Sequence, residues 1–566
     1  MKIIDPIRIG FISRLNVAPW LLLLIGASFF SQTKAENKSA EVHYLRGLYF
    51  LDKGQNQEAI VEFRASLVSK PSQADARYQL GLANWKLGNM LAASREFRKA
   101  LELAPDHALS AYYLGRISLQ NNDILKGIEY LKKVIQLGNG KPVLDEYFQL
   151  GKAYLTEAKT NEAIAVLEKG TTIQPRDDRI FAQLGKAYLS QGRKVEAEKA
   201  LDKSKELRDY IREATTLLMQ CSEYLKSKEI DKAMEIYQRL SDTVDVNDLV
   251  SLGINFGESK LFDQAIKLLE RAVQLSPNLY EAHYNLGLMY FRTEREKKAE
   301  DHFARAVALH PFSFEANSLL GVVLSQAGKT DEAIHVLKRA QSMKPDDLNV
   351  VTLLSLQLIE GRYYSESMKT LTDALKQWPT NLDLNLLLIQ TYHRDRKYEK
   401  AVQTARQTVA LFPGSARANF EMGYQLISFG RLKDSRPFLE KSIQLDPDLV
   451  EGYVSLGDLQ AKEGNYEQAV NYYRKALEKD PGDVEASLGL AKSLLAMKRY
   501  AEVVIEMERV IKIEPTNPQP HFHLSQAFLG MEEKQRADQE AQIFKQLNEQ
   551  RMIIRDQEAG RVYEEK

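Results

Sequence analysis

Eight prolines, Pro277, Pro311, Pro345, Pro379, Pro413, Pro447, Pro481 and Pro515, stand 34 residues apart in unbroken register. Proline has no N–H and clashes with the preceding helical turn, so each one ends a helix or sits just outside it. Stretches of 34 residues between such stops hold two short helices and a turn. A hairpin of that size cannot bury its own apolar face, so it must stack on the next one. The chain is predicted to be all-α, a solenoid rather than a globule with a central core.

Other positions keep the same beat. Small residues recur at Gly47, Gly81, Gly115, Gly151, Gly185, Cys221, Gly253, Gly287, Gly321, Ser355, Gly423, Gly457, Ala491 and Ser525. Twelve residues later a second small residue follows in most units, as at Ala59, Ala93, Ala265, Ala299 and Ala333. Two helices crossing closely need small side chains where their backbones meet and larger ones in the flanking grooves. Leu80, Leu114, Leu184 and Leu286, each just before the small residue, supply that filling. Gly88, Gly192, Gly328, Gly430 and Gly464 fall near the midpoint of their units, where the first helix turns back.

The unit from Tyr280 to Pro311 carries Tyr284, Asn285, Leu286, Gly287, Tyr290, Ala299, Phe303 and Ala306. In this it resembles the tetratricopeptide repeat almost slot for slot. The resemblance implies a right-handed α-α superhelical solenoid. Fifteen units begin near residues 40, 74, 108, 144, 178, 214, 246, 280, 314, 348, 382, 416, 450, 484 and 518. The pattern falters between residues 193 and 245, where the spacing shifts by two residues each way and the proline is missing twice. From Arg193 to Leu252 there is neither Gly nor Pro. A long charged helix from Lys194 to about Arg212 is expected there, with a change of curvature near 205–215 dividing residues 36–211 (five units) from 212–551 (ten units).

Residues 1–35 stand outside the pattern. Lys2, Arg8 and Arg14 precede an apolar run from Val17 to Phe30, and Thr33, Lys34 and Ala35 offer small residues at the cleavage-determining positions. That reads as a signal peptide cut before Glu36, hence an exported chain, periplasmic or secreted. An uncleaved anchor is the alternative, although 14 apolar residues are short for a span of about 20. At the other end, Met531 to about Glu558 has the charge and the scarcity of breakers of a polar capping helix, followed by a charged tail over 552–566. The whole chain balances 77 basic against 77 acidic residues, and without residues 1–35 the counts are 73 and 76. Near-neutrality gives no reason to expect nucleic acid or an anionic membrane surface as partner. The single cysteine, Cys221, excludes an intramolecular disulfide and occupies the small-residue slot of its unit, a packing position.

No catalytic constellation emerges, and neither a cofactor nor a metal is expected. The nine histidines read as scattered, and His521 and His523, two apart on a helix, point to different sides. Acidic pairs such as Asp177-Asp178 and Asp346-Asp347 follow the repeat prolines and read as turns and N-caps. What remains is binding. In proteins that this chain resembles, the first helix of each hairpin lines a concave groove that holds partner peptides. Carried onto this sequence, the groove positions are the aromatic residues Tyr44, Tyr78, Trp85, Tyr112, Phe148, Tyr284, Phe291, Phe420, Tyr424 and Phe522. Arg116, Lys152, Lys186, Arg292, His393, Arg394 and Lys492 accompany them. Aromatic rings at these spacings also suit packing against the neighbouring hairpin. The expected function is a non-catalytic protein–protein interaction scaffold of the cell envelope. A module for exopolysaccharide synthesis or secretion, binding glycan or its machinery, is the alternative. Capture of chaperone C-terminal tails is not expected, because Val250 and Ile254 stand where that family subgroup carries lysine and asparagine.

Overall fold

In the computed structural model, residues 39–139, 141–240 and 245–564 are described, with side chains to residue 552. The expected signal segment, residues 1–35, lies outside the described residues. Among the described residues the regular structure is entirely helical, arranged as successive hairpins. Hairpin 1 pairs residues 39–52 with Asn56–Ser69, and hairpin 2 pairs Ala74–Lys86 with Met90–Leu103. Hairpin 3 pairs Ala108–Gln120 with Ile124–Gly138, and hairpin 4 pairs Glu146–Thr156 with Thr160–Ile173. The same scheme continues to hairpin 15, whose helices are Pro518–Gly530 and Lys534–Glu564. The closing helix starts a turn later and runs further than Met531–Glu558, so the backbone of the expected tail is helical to residue 564. The chain divides into two compact units, residues 1–350 and 351–566.

The crossing of the two helices within a hairpin is set by the small-residue slot. A methyl group on Gly287 would stand 2.9 Å from Phe303 Cδ1, and one on Gly81 would stand 2.7 Å from Phe97 Cδ1. Phe97 and Phe303 are completely buried by that contact. The first helices of successive hairpins touch one another, as do Glu146–Thr156 and Asp178–Ser190, or Val246–Glu258 and Tyr280–Arg292. First helices therefore line the inner wall of each unit and second helices the outer one. The turn between them needs a left-handed residue. Gly88 takes φ +78° there without cost, but Lys260 takes φ +64° and Arg362 φ +62°, a conformation disfavoured for a residue with a Cβ.

The irregular stretch resolves as one helix of 33 residues, Lys194–Lys226. It extends beyond the expected end near Arg212, because no glycine or proline interrupts the sequence and it absorbs the first helix of hairpin 6. Cys221 is fully buried on that helix, and burial pushes its thiol up to about 11.

A polar latch recurs between the helices of a hairpin, from the fourth or fifth residue of the first helix to a residue 19 positions later. His43 Nδ1 meets Glu62 at 2.6 Å, Arg77 Nη1 meets Glu96 at 2.9 Å, and His521 Nδ1 meets Glu540 at 2.6 Å. In hairpin 8 (Tyr280–Arg292 with Glu296–Leu309) the acid is replaced, and His283 Nδ1 meets His302 Nδ1 at 3.0 Å. Where the slot holds asparagine, the side chain turns back: Asn317 Nδ2 donates to Pro311 O at 3.0 Å and Asn419 Nδ2 to Pro413 O at 3.3 Å. Three of the nine histidines, His43, His283 and His521, thus share this slot, the last two of them seven 34-residue periods apart.

Within the first unit, hairpin 1 also touches hairpin 9 (Phe314–Gln326 with Thr330–Met343). Lys53 Nζ donates to Glu315 Oε1 at 2.6 Å, across 262 residues of sequence. Tyr44 lies edge-on to Phe312 at 5.7 Å and Tyr49 edge-on to Phe314 at 5.8 Å.

Candidate functional site

The first helices of hairpins 3, 4 and 5 bring the densest set of expected groove residues together. Tyr112 and Arg116 come from Ala108–Gln120, Phe148 and Lys152 from Glu146–Thr156, and Lys186 from Asp178–Ser190. Residues at i and i+4 share a helix face, which is why Tyr112 sits beside Arg116 and Phe148 beside Lys152. Asp145, just before the second of these helices, ties the three together. Tyr112 donates its hydroxyl to Asp145 Oδ1 at 2.5 Å, and Arg116 Nη1 donates to that hydroxyl at 2.7 Å. Gln149 Nε2 and Arg179 Nη1 donate to Asp145 Oδ2 at 3.0 and 3.1 Å. The Arg179 guanidinium also lies 4.8 Å from the centre of the Phe148 ring.

Arg179 also grips Asp177, Nε to Oδ1 at 2.9 Å and Nη2 to Oδ2 at 2.7 Å, so the arginines and carboxylates of the network balance and the excess positive charge lies on the lysines. Asp145 is shared between Arg179 and, at 3.9 Å, Arg116. Lys152 and Lys186 are exposed, and neither pairs with a carboxylate among the described residues. Between hairpins 3 and 4 opens a cavity of about 390 Å³, lined by Arg116, Leu119, Gln120, Ile124, Phe148, Gln149, Lys152, Ala153 and Thr156. Its wall joins an apolar floor (Leu119, Ile124, Phe148) to two cations at the rim. Burial and the Asp145 contact hold the Tyr112 phenol above its ordinary range, so it stays a neutral hydrogen-bond donor.

The second unit holds a different cluster. His393 and Arg394 end the helix Leu382–Arg394, and Phe420 and Tyr424 lie on Ala416–Ser428. Phe420 and Tyr424 stack at 5.9 Å, and the His393 ring lies 5.3 Å from Tyr424. His393 Nδ1 donates to Gln425 Oε1 at 2.8 Å, and Gln425 Nε2 donates to Glu421 Oε2 at 3.2 Å. Burial pushes the Glu421 carboxyl above its ordinary range, with Gln425 and Arg417 opposing. Burial raises the Tyr424 phenol above its ordinary range, with Glu421, Glu485 and Asp458 adding to it and Arg394 opposing.

The remaining expected residues fall elsewhere. Tyr78 is buried at 8% exposure against Phe97, Tyr113 and His107, and presents no free face. Trp85 packs edge-on to Tyr113 at 5.1 Å, with its indole N–H buried and unpaired. Tyr44 lies against Phe312, and Tyr284 is raised above the usual phenol range by burial and by Glu315. Phe291 is half-buried, and Arg292 Nη1 donates to Gly257 O at 3.5 Å. Lys492 and Phe522 are exposed on later hairpins, Phe522 resting 5.4 Å from Phe544. Sequence reasoning missed Asp145 and Arg179, whose roles depend on three hairpins meeting. Among the described residues no group of three or more His, Cys, Asp or Glu could hold a metal ion, and no helix is long and apolar enough to cross a membrane.

Sequence models of the tetratricopeptide repeat match residues 78–142, 251–314, 386–449, 460–521 and 147–177, and a TPR repeat model matches 47–88. A further model, the N-terminal TPR repeats region of Psidin, matches 294–416. No curated protein matches the chain. Among solved structures, a tetratricopeptide repeat protein from Parabacteroides merdae is 14% identical with a TM-score of 0.36, covering 44% of this chain and 98% of its own. The thermophilic TPR protein TTC0263 of Thermus thermophilus is 21% identical with a TM-score of 0.29, covering 32% and 100%. The Cut9-Hcn1 hetero-tetramer of the APC/C is 13% identical with a TM-score of 0.36, covering 84% and 94%. The repeat models, spread from residue 47 to 521, agree with the hairpins, their small-residue crossings and their prolines: this chain is a tetratricopeptide repeat protein, an all-α solenoid.

Proposed function

We propose that this chain is a non-catalytic scaffold of the cell envelope that holds partner proteins by acidic, aromatic-flanked segments lying on its inner wall. Tetratricopeptide solenoids are protein-interaction folds, and that coarser role rests on the repeats themselves. The finer reading rests on the cavity beside Arg116, Phe148 and Lys152, whose apolar floor and unpaired Lys152 ammonium suit a hydrophobic residue next to a carboxylate. The envelope assignment rests on Lys2, Arg8 and Arg14 before the Val17–Phe30 run.

The test uses the chain from Glu36 onward as bait in a cross-linked envelope extract, beside a Lys152→Glu, Arg116→Ala double variant. A charge-assisted hydrogen bond is worth about 1.5–3 kcal/mol, so the double variant is expected to weaken capture at least tenfold. Partners recovered equally by both forms exclude the cavity as the site. An acidic glycan offers the same charge, and digestion of the extract with protease separates the two: a ligand that survives digestion is not a protein segment. Cell fractionation with a tag at the C-terminus tests export, and tagged chain confined to the cytoplasmic fraction removes the envelope assignment.

A further inference from the structure

A solenoid is ordinarily held together by contacts between neighbouring repeats alone. The first unit of this chain has an additional tie. Lys53, at the turn of hairpin 1, reaches Glu315 in hairpin 9 at 2.6 Å, and its ammonium also lies 5.9 Å from the centre of the Tyr49 ring. The two edge-on pairs, Tyr44 with Phe312 and Tyr49 with Phe314, flank that ion pair. Hairpins 1 to 9 are joined to one another in succession, so the tie turns an open stack into a closed ring of contacts. Arg116, Phe148 and Lys152 sit on hairpins 3 and 4 of that ring.

The tie differs in kind from the joints within the ring. Lys53 and Glu315 each keep 37% side-chain exposure, whereas the crossings inside hairpins bury Phe63, Phe97 and Phe303 completely. Exposed ion pairs and edge-on rings are individually weak. Hairpin 1 is also terminal among the described hairpins, with a stacked neighbour on one side only. A weak joint at the end of a strong chain of joints opens first. A closed ring also restricts traffic: a segment flanked by folded domains cannot be threaded through it end-on.

We propose that hairpin 1 is a clasp, closed on hairpin 9 through Lys53, Glu315, Tyr44 and Phe312, which opens to admit a partner segment to the inner wall. The closure stands on these contacts, and the admission step rests on the acidic-segment reading above. In a Cys221→Ser background, spin labels at Val61→Cys and Glu332→Cys report the separation of the two hairpins. The expected result is one short distance at low salt and a second, longer population at 1 M salt. Lys53→Glu is expected to raise the open population about tenfold, equivalent to about 1.4 kcal/mol, and the swap Lys53→Glu, Glu315→Lys to restore the short distance. A single unchanged distribution in wild type, Lys53→Glu and Phe312→Ala at both salts overturns the clasp, as does a swap that fails to restore closure.

Admission is read with a labelled peptide of alternating Glu and Phe, either free at its ends or capped at both by folded domains. A short reductant-cleavable bismaleimide between Lys53→Cys and Glu315→Cys, again with Cys221→Ser, locks the ring. The locked protein is expected to take the free peptide normally and the capped one at least tenfold more slowly, with recovery after cleavage. Equal rates for both peptides on the locked protein overturn admission through the clasp. If neither peptide binds the unlocked protein, the acidic-segment reading and the admission step fail together, while the label distances still decide closure.

Discussion

The latch of hairpin 8 leads to a pH dependence whose sign can be worked out from the structure. His283 Nε2 lies 3.1 Å from Pro277 O, and a carbonyl only accepts, so Nε2 carries the proton. Neutral His283 therefore has a bare Nδ1, which accepts from His302 Nδ1–H at 3.0 Å. Burial lowers both imidazoles below the ordinary histidine range, most of all through desolvation. At His283 the Pro277 carbonyl opposes and Arg305 adds to the effect, and at His302 the protonated partner and Lys298 lower it while Asp301 and Glu270 oppose. One added proton can be taken up at His302 Nε2 with the Nδ1–H···Nδ1 bond between the rings kept. A second would set two N–H groups against each other 3.0 Å apart, so the folded hairpin excludes it.

In the unfolded chain both histidines titrate near 6.5, so below that pH the unfolded state binds at least one proton more than the folded one. The pair's contribution to stability is thus present above pH 6.5 and lost as pH falls below it, by about 1.4 kcal/mol per pH unit for each excluded proton. His302→Gln removes one titrating group while keeping a hydrogen-bond donor, and His302→Glu restores the histidine–carboxylate latch of hairpins 1 and 15. In the Glu variant His283 should be raised instead, giving stability that is complete below pH 6.5 and declines as pH rises through the folded value. It also loses the stacking of His302 on Tyr290, 5.5 Å between centroids, and sets a charge near Glu270. Amide exchange of Tyr280–Leu309 between pH 5 and 7.5 isolates the hairpin from the titration of distant carboxylates. Wild type should lose protection on acidification relative to the Gln variant, and the Glu variant should gain it. Three parallel pH profiles would refute the assignment of the pair as neutral in the folded state.

Other expectations concern packing, turns and the site. Gly287→Leu forces its side chain into Phe303, 2.9 Å from the first added carbon, and should cost on the order of 1–3 kcal/mol in denaturant melts, with exchange losses confined to hairpins 7–9. Lys260→Gly and Arg362→Gly each relieve a left-handed backbone at a hairpin turn and should each add about 0.5–1 kcal/mol, read in the same melts. Asp145→Asn frees Arg116 from its carboxylate, while Arg179 stays on Asp177, and should tighten binding of a poly-glutamate probe, measured calorimetrically; unchanged affinity would show that the network is structural alone. Cys221, its thiol pushed up to about 11, should react with a thiol reagent at pH 8 only as fast as its helix opens, and a rate matching free cysteine would contradict its burial.

The fold was legible in the sequence because its determinants are local and repeated. Pro311 ends a helix by its own chemistry, and Gly287 lies opposite Phe303 only 16 positions later, so one period of sequence contains the whole device. The candidate site was half legible for the same reason. Arg116, Phe148 and Lys152 follow from the register of each first helix, but Asp145 lies in a turn and gains its role only where three hairpins converge. The latch was hidden differently: it keeps the 34-residue register but changes residue type from His to Arg to Asn, so a search by identity passes over it. The tie of Lys53 to Glu315 has no local signal at all, since its register is set by the accumulated rotation of eight hairpins rather than by any one. That places it under a different constraint from the rest of the fold. A substitution at a hairpin crossing is felt by its neighbours, whereas a small change of pitch anywhere from hairpin 2 to hairpin 8, the long helix Lys194–Lys226 included, moves Glu315 relative to Lys53. Shortening that helix by one turn should therefore abolish the short label distance between hairpins 1 and 9 while leaving the crossings, and the melting of each hairpin pair, intact.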